Sequence, residues 1–170
     1  MTFYYFDTSA LVKYYILELG STWVRELVNR LESDGISPTN TIIISEASIA
    51  ESAAAFALLH RTQRISRRTR DGAFKSCMKD ITSERLSPMP VLTADFHAAA
   101  VLTQRHPLKG YDAVQLAVAL RQSQILAAYG LSLTFVSGDK TLLTAAQAEG
   151  LVTENPFDHV LPQDSPPGSS

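Results

Sequence analysis

The sequence predicts an α/β protein: a three-layer α/β/α sandwich around a central, mostly parallel sheet. Three observations predict it. Short apolar runs rich in aromatic and β-branched residues alternate with segments of helical periodicity along nearly the whole chain, as a parallel sheet with crossover helices requires. The chain has 170 residues, enough for one domain with a sizeable core. Hydrophobic residues make up 45% and charged residues 19%, the balance of an ordinary globular protein.

The elements follow in order. Residues 3–6, aromatic and apolar, read as a buried first strand. Asp7-Thr8-Ser9 then leads into a helix carrying Ala10, Leu11, Tyr14 and Tyr15. Gly20-Ser21 opens a second helix with Trp23, Leu27, Val28 and Leu31 on one face and Asp34-Gly35 as its stop. Residues 41–44 form a β-branched strand. An alanine-rich helix runs over residues 45–63. Phe74, Cys77, Met78 and Ile81, spaced i, i+3, i+4, i+7, mark another helix. Pro88 and Pro90 precede a short strand at Val91-Leu92. A helix over residues 94–105, a loop over 106–110 and a helix over 112–129, closed by Gly130, come next. Residues 133–136 form the clearest late strand, and residues 140–149 a helix closed by Gly150. No repeat or interdomain linker interrupts residues 1–162, which read as a single domain. Residues 163–170, rich in Pro, Ser and Gly, read as a disordered tail.

Composition narrows the function. The net charge of −2 does not suit a general polyanion binder. Positive charge is nevertheless concentrated: Arg61, Arg64, Arg67, Arg68 and Arg70 follow one another without an acid, either as a solvated face or as a phosphate-contacting rim. The single cysteine, Cys77, excludes an internal disulfide and a thiolate zinc cage. No apolar run has the length to span a bilayer, and the N-terminus is a poor signal peptide, so a cytoplasmic protein without a membrane partner is expected. His60, His97, His106 and His159 lack zinc-ligand spacing and read as structural or surface residues, with His106 the strongest outside candidate. Trp23, Tyr4, Tyr5, Tyr14 and Tyr15 read as core or interface. Nothing matches the Gly-x-x-x-x-Gly-Lys phosphate loop.

Four acids carry the functional expectation. In an open parallel sheet, ligands bind beyond the carboxyl ends of the strands. Asp7 follows the first strand, Asp139 follows the late strand after Ser137-Gly138, and Asp112 opens a helix. Glu51 lies within the alanine helix on a face with Ala47, Ala54 and Leu58, where a carboxylate is costly unless it is paired or binds a cation. Each acid also has a local alternative: Asp7, Asp112 and Asp139 as helix caps or first-turn acids, and Glu51 as the last member of a capping box Ser48-Ile49-Ala50-Glu51. Glu46 competes with Glu51, but stands nearer the helix start, where an acid complements the dipole. Converging carboxylates repel one another unless a cation is present, and an all-oxygen donor set suits a hard divalent ion. Such an ion activates water and stabilises a phosphodiester in displacement. Lys13 and Lys140 follow the first and last acidic blocks, either as phosphate-neutralising or as exposed residues.

Four ordered blocks carry a family resemblance over nearly the whole chain. Phe6-Asp7-Thr8-Ser9-Ala10-Leu11-Val12-Lys13 resembles the opening strand and acidic turn of PIN-domain nucleases. Ser45-Glu46-Ala47-Ser48-Ile49-Ala50-Glu51 resembles their second block, and Leu108-Lys109-Gly110-Tyr111-Asp112-Ala113-Val114-Gln115-Leu116-Ala117 their third. Phe135-Val136-Ser137-Gly138-Asp139-Lys140-Thr141-Leu142-Leu143 resembles the fourth, and Asn155-Pro156 the family's usual ending. The subgroup most similar is that of VapC-type toxins. The resemblance implies a PIN-like fold and an endoribonuclease dependent on Mg2+ or Mn2+ that leaves a 5′-phosphate and a 3′-hydroxyl. It implies Asp7, Glu51, Asp112 and Asp139 as catalytic metal ligands, with Thr8 and Ser9 supporting Asp7 and Ser137 orienting Asp139 or a water. It also implies an RNA substrate, a homodimer and a small cognate antitoxin. Gln115 departs from the family, which often has His there, and residues 64–90 are longer than in compact members. Two other classes compete: a catalytically silent PIN-fold module that holds RNA or protein, and a phosphatase or phosphoacceptor using Asp7. Against the last stands Ser9, where strand-end aspartate phosphatases place a second Asp.

Overall fold

The computed structural model describes residues 2–164. Five strands form one sheet: β1 (Thr2–Phe6), β2 (Asn40–Ser45), β3 (Leu86–Met89), β4 (Leu133–Val136) and β5 (Val152–Glu154). Their order is β3-β2-β1-β4-β5, and every neighbouring pair is parallel. The helices are α1 (Thr8–Tyr15), α2 (Ser21–Asn29), α3 (Ala47–Arg61), α4 (Arg67–Thr82), α5 (Thr93–Arg105), α6 (Gly110–Ala127) and α7 (Lys140–Ala148).

Strand periodicity divides the core into layers. Successive strand residues face opposite sides, so Tyr5, Ile43, Leu133 and Phe135 pack under α5, α6 and α7 with Leu102, Leu116 and Leu142. Phe6, Ile42, Ile44 and Val136 face the other way, against Leu11 of α1 and Val24, Leu27 and Val28 of α2. Both faces are covered, which explains why these strands read as continuous apolar runs. A third cluster, Val12, Ile16, Phe56, Ala73 and Cys77, joins α3 and α4 to the flank of α1. This is the expected sandwich, with the chain segment that follows α3 folded into α4 and the edge strand β3.

The strand order places the site. From β1 the chain moves outward through β2 and β3, then returns to the other side of β1 with β4. The direction of winding therefore reverses between β1 and β4, and a crevice opens beyond their carboxyl ends. Their register pairs Phe6 with Val136, and the Asp7 N–H donates to the Val136 carbonyl at 3.1 Å. Asp7 and the Ser137-Gly138-Asp139 turn thus leave the sheet side by side.

Four details differ from the sequence expectation. The third strand is Leu86–Met89, not Val91-Leu92; it includes Pro88, which an edge strand tolerates because one side needs no ladder bonds. Leu92 instead stands at the N-cap of α5. The edge strand β5 was not anticipated: only three residues long and partly exposed, it carries no apolar run. The second helix ends at Asn29, before Leu31, which makes an antiparallel bridge to Pro38. Asp34 folds that reversal by accepting from the Ile36 and Ser37 N–H groups and the Ser37 hydroxyl. Finally, Gln163 and Asp164, assigned by sequence to the tail, lie in a 3-10 turn with Asp164 buried; residues 165–170 lie outside the described residues.

Candidate functional site

Asp7 is the N-cap of α1, so its local alternative is realised, but the same carboxylate also lines the crevice. It is 5% exposed. Its Oδ1 accepts from the Ala10 N–H and the Ser9 hydroxyl, both at 2.8 Å, and its Oδ2 accepts from the Ser137 hydroxyl at 2.7 Å. Burial raises its pKa to about 6; the bonds from Ser137, Ala10 and Ser9 oppose that rise, and the charge of Asp112 adds to it.

Two hydroxyls join Asp7 to the Asp139 turn. Ser9 Oγ accepts from the Gly138 N–H at 2.7 Å, and Ser137 Oγ accepts from the Asp139 N–H at 3.0 Å while donating to Asp7. Asp139 is exposed and caps α7, its Oδ1 accepting from the Thr141 and Leu142 N–H groups. Gly138 is tightly enclosed: a Cβ there would meet Phe157 at 3.1 Å and the Ser9 hydroxyl at 3.3 Å, so either side chain would have to give by a few tenths of an ångström.

Glu51 projects from the second turn of α3. Its Oε2 accepts from the Thr8 hydroxyl and the Gln115 amide, both at 2.7 Å. The capping-box alternative fails, since α3 starts at Ala47 and places Ser48 inside it, where Ser48 Oγ accepts from Gln115 at 2.8 Å. Thr8 therefore supports Glu51 rather than Asp7, a correction that follows from its place on the first turn of α1 facing α3. Gln115, 2% exposed, also accepts from the Tyr5 hydroxyl at 2.8 Å, so this residue links the sheet, α3 and α6. Sequence reasoning noted that position without foreseeing the link. Glu46 is exposed and stays outside the cavity.

Asp112, half-buried, occupies the first turn of α6. Its pKa is raised by burial first, then by Asp139 and Glu51, while Lys109 opposes the rise. All four predicted acids thus line one cavity of about 520 Å³, together with Thr8, Ser9, Gln115, Lys13, Glu18 and Phe157. Lys13, Glu18 and Phe157 form the part that motif reading left unassembled. Lys13 and Glu18 share a helix-and-turn segment, a usable signal; Phe157 arrives only through tertiary folding.

The donor chemistry fits a hard divalent cation: every candidate ligand is an oxygen, and Asp7 and Asp112 both carry raised pKa values that a bound cation would reverse. The acids are not gathered to ligand spacing, for among the described residues no three His, Cys, Asp or Glu side chains form a metal-holding group. The histidines lie elsewhere. His106 pairs with Glu149 at 2.7 Å, and His159 pairs with Glu154 at 2.8 Å while stacking on Trp23. The candidacy of His106 ends there, since it lines no part of the acidic cavity.

Fold and site together define a class: a parallel α/β domain whose acidic, all-oxygen centre lies at the switch point between its first and fourth strands. The family model described as PIN domain matches residues 4–139, and the chain belongs to that family. Among solved structures, it is similar to VapBC2 from Rickettsia felis bound to a DNA fragment from their promoter, with 16% identity and a TM-score of 0.54 over 91% of this chain and 98% of that one. PAE2754 from Pyrobaculum aerophilum matches with 16% identity and a TM-score of 0.57 over 93% and 85% of the two chains. FitAB bound to an IR36 DNA fragment matches with 16% identity and a TM-score of 0.56 over 91% and 95%. At this identity the likeness concerns the fold. A search of curated proteins finds no match. Among the described residues, no helix is long and apolar enough to cross a membrane.

Proposed function

We propose that this chain is a Mg2+- or Mn2+-dependent endoribonuclease, the VapC-type toxin of a toxin–antitoxin pair, acting in the cytoplasm as a homodimer. The observation that carries the reading is the meeting of Asp7, Glu51, Asp112 and Asp139 around one cavity at the switch point. PIN-family membership supports a nuclease. The toxin–antitoxin part draws on the likeness to VapBC2, FitAB and a toxin–antitoxin complex from Klebsiella pneumoniae.

In this reading the four acids are the metal ligands. The metal, when bound, supplies an activated water and charge stabilisation for phosphodiester hydrolysis. Ser9 and Ser137 fix the Asp7 carboxylate, and Thr8 and Gln115 fix Glu51. Asp112 and Asp139 come from two helix starts, α6 and α7. The second reading, a catalytically silent module that binds RNA or a partner protein, is favoured by the absence of any ready three-ligand group among the described residues.

Incubation of the purified chain with single-stranded RNA separates the two. Cleavage is expected with Mg2+ or Mn2+, none with a chelator, and a loss of about a hundredfold or more in Asp7→Asn. The new ends should carry a 5′-phosphate. RNA binding without metal-dependent cleavage would establish the silent module, and cleavage undiminished in Asp7→Asn would mark a contaminant.

A further inference from the structure

The acidic cavity contains one cation whose role is unassigned. Lys13, on α1, is the sole Lys or Arg among the residues lining it. It is 3% exposed, although lysines are almost never fully buried unless paired. Its Nζ donates to Glu18 Oε1 at 2.7 Å and lies 4.0 Å from the centroid of the Phe157 ring. An ammonium has three N–H donors. The carboxylate takes one and the ring face a second; the third has no acceptor among the described residues. The lysine stem runs beside the turn that carries Asp139: a Cβ on Gly138 would lie 3.6 Å from Lys13 Cε.

We propose that Lys13 is a phosphate-binding residue of the acidic cavity, its ammonium receiving a non-bridging oxygen of an RNA phosphodiester, with Glu18 as its resting counter-ion. This rests on the nuclease reading above. Four acids repel a polyanion, and a cation on the same wall offsets that repulsion at the phosphate itself. Glu18 holds the ammonium in place while no phosphate is present, at the cost of competing with it. The half-exposed Phe157 ring, held by Lys13 on one side, gives the same wall an aromatic surface suited to an unstacked base. Other cations lack this placement. Lys140 is exposed and lines a separate hollow with Glu154 and Asp158. Arg67 and Arg70 are exposed or half-exposed and pair with Asp71.

The test measures binding of a labelled single-stranded oligoribonucleotide in calcium, across a salt series, by fluorescence anisotropy. Lys13→Met is expected to bind about tenfold more weakly and to flatten the salt dependence by about 0.7 in log–log slope, one phosphate contact on a single strand. Lys13→Arg should recover most of the slope, which a purely structural lysine would not do. Lys140→Met, a surface-charge control, should change affinity less than Lys13→Met. Affinity and slope equal to wild type in Lys13→Met, or an equal loss in Lys140→Met, would overturn the proposal. Should Lys13→Met fail to fold, Glu18→Gln decides: removing the competing charge is expected to tighten binding several-fold, and unchanged or weaker binding overturns the assignment. A wild-type chain that binds but never cleaves with Mn2+ sinks the nuclease reading alone. One that cleaves while Lys13→Met binds normally sinks only the Lys13 contact, and no binding by wild type overturns both.

Discussion

Asp7 serves two ends that conflict. As N-cap of α1 it accepts bonds that favour the carboxylate, yet its burial raises the pKa to about 6 from 3.8. The folded state therefore holds the proton at pH values where the unfolded chain has released it. Its contribution to stability is greatest below about pH 4, declines between pH 4 and 6, and remains lowest above that, a difference of roughly 3 kcal/mol. Asp7→Asn removes the titration. In chelator, the melting temperature of the variant relative to wild type should rise as pH goes from 4 to 7, while cleavage is lost; a difference that stays flat with pH would contradict the buried carboxylate. At Gln115, the amide holds Glu51, Ser48 and Tyr5 at once. Gln115→Leu strands the buried Ser48 and Tyr5 hydroxyls and should cost about 1–3 kcal/mol in denaturant unfolding, with activity falling because the partly buried Glu51 loses an anchor.

At the level of elements, α2 depends on a distant cap. Gly20, its N-cap, has φ +84°, and a Cβ there would run into the Pro156 carbonyl. Neither the backbone angle nor the space admits a side chain, so Gly20→Ala should lower stability by roughly 2 kcal/mol or more, read as a drop in melting temperature. The α2 start has no side-chain cap of its own. Asp164 replaces one, accepting from the Gly20 and Thr22 N–H groups and the Thr22 hydroxyl, and from Leu161 N–H. Burial pushes its pKa up, but the bonds from Leu161, Thr22 and Gly20 outweigh that and hold it below the usual value. Asp164→Ala should destabilise by about 1–3 kcal/mol at neutral pH. Because the folded carboxyl is the stronger acid, the difference should shrink as pH falls through the native pKa.

For the whole molecule, the proposed metal binding at the four acids lining the cavity would make ion affinity and stability one linked equilibrium. Millimolar Mg2+ or Mn2+ should raise the melting temperature at pH 7.5, and raise it less at pH 5, where protons compete for Asp7. A melting temperature that ignores both ions at both pH values would count against a metal site in this cavity. Much of this plan was legible beforehand. The strand runs at residues 3–6, 41–44 and 133–136 fall in β1, β2 and β4, because central strands buried on both faces cannot avoid continuous apolar sequence. The edges were less legible. The strand β3 contains a proline and β5 has three part-exposed residues, so neither carries the usual pattern.

The chain itself determined the alternating architecture, the acids at the strand ends and the family they mark, because apolar periodicity and strand-to-helix turns are local properties. Only the tertiary structure decided that Glu51 reaches across from α3 to Thr8 and Gln115, that Lys13 is buried against Glu18 and Phe157, and that Asp164 caps a helix more than 140 residues away. Those partners are set by how the layers pack, and no spacing along the chain records a contact made across the sheet.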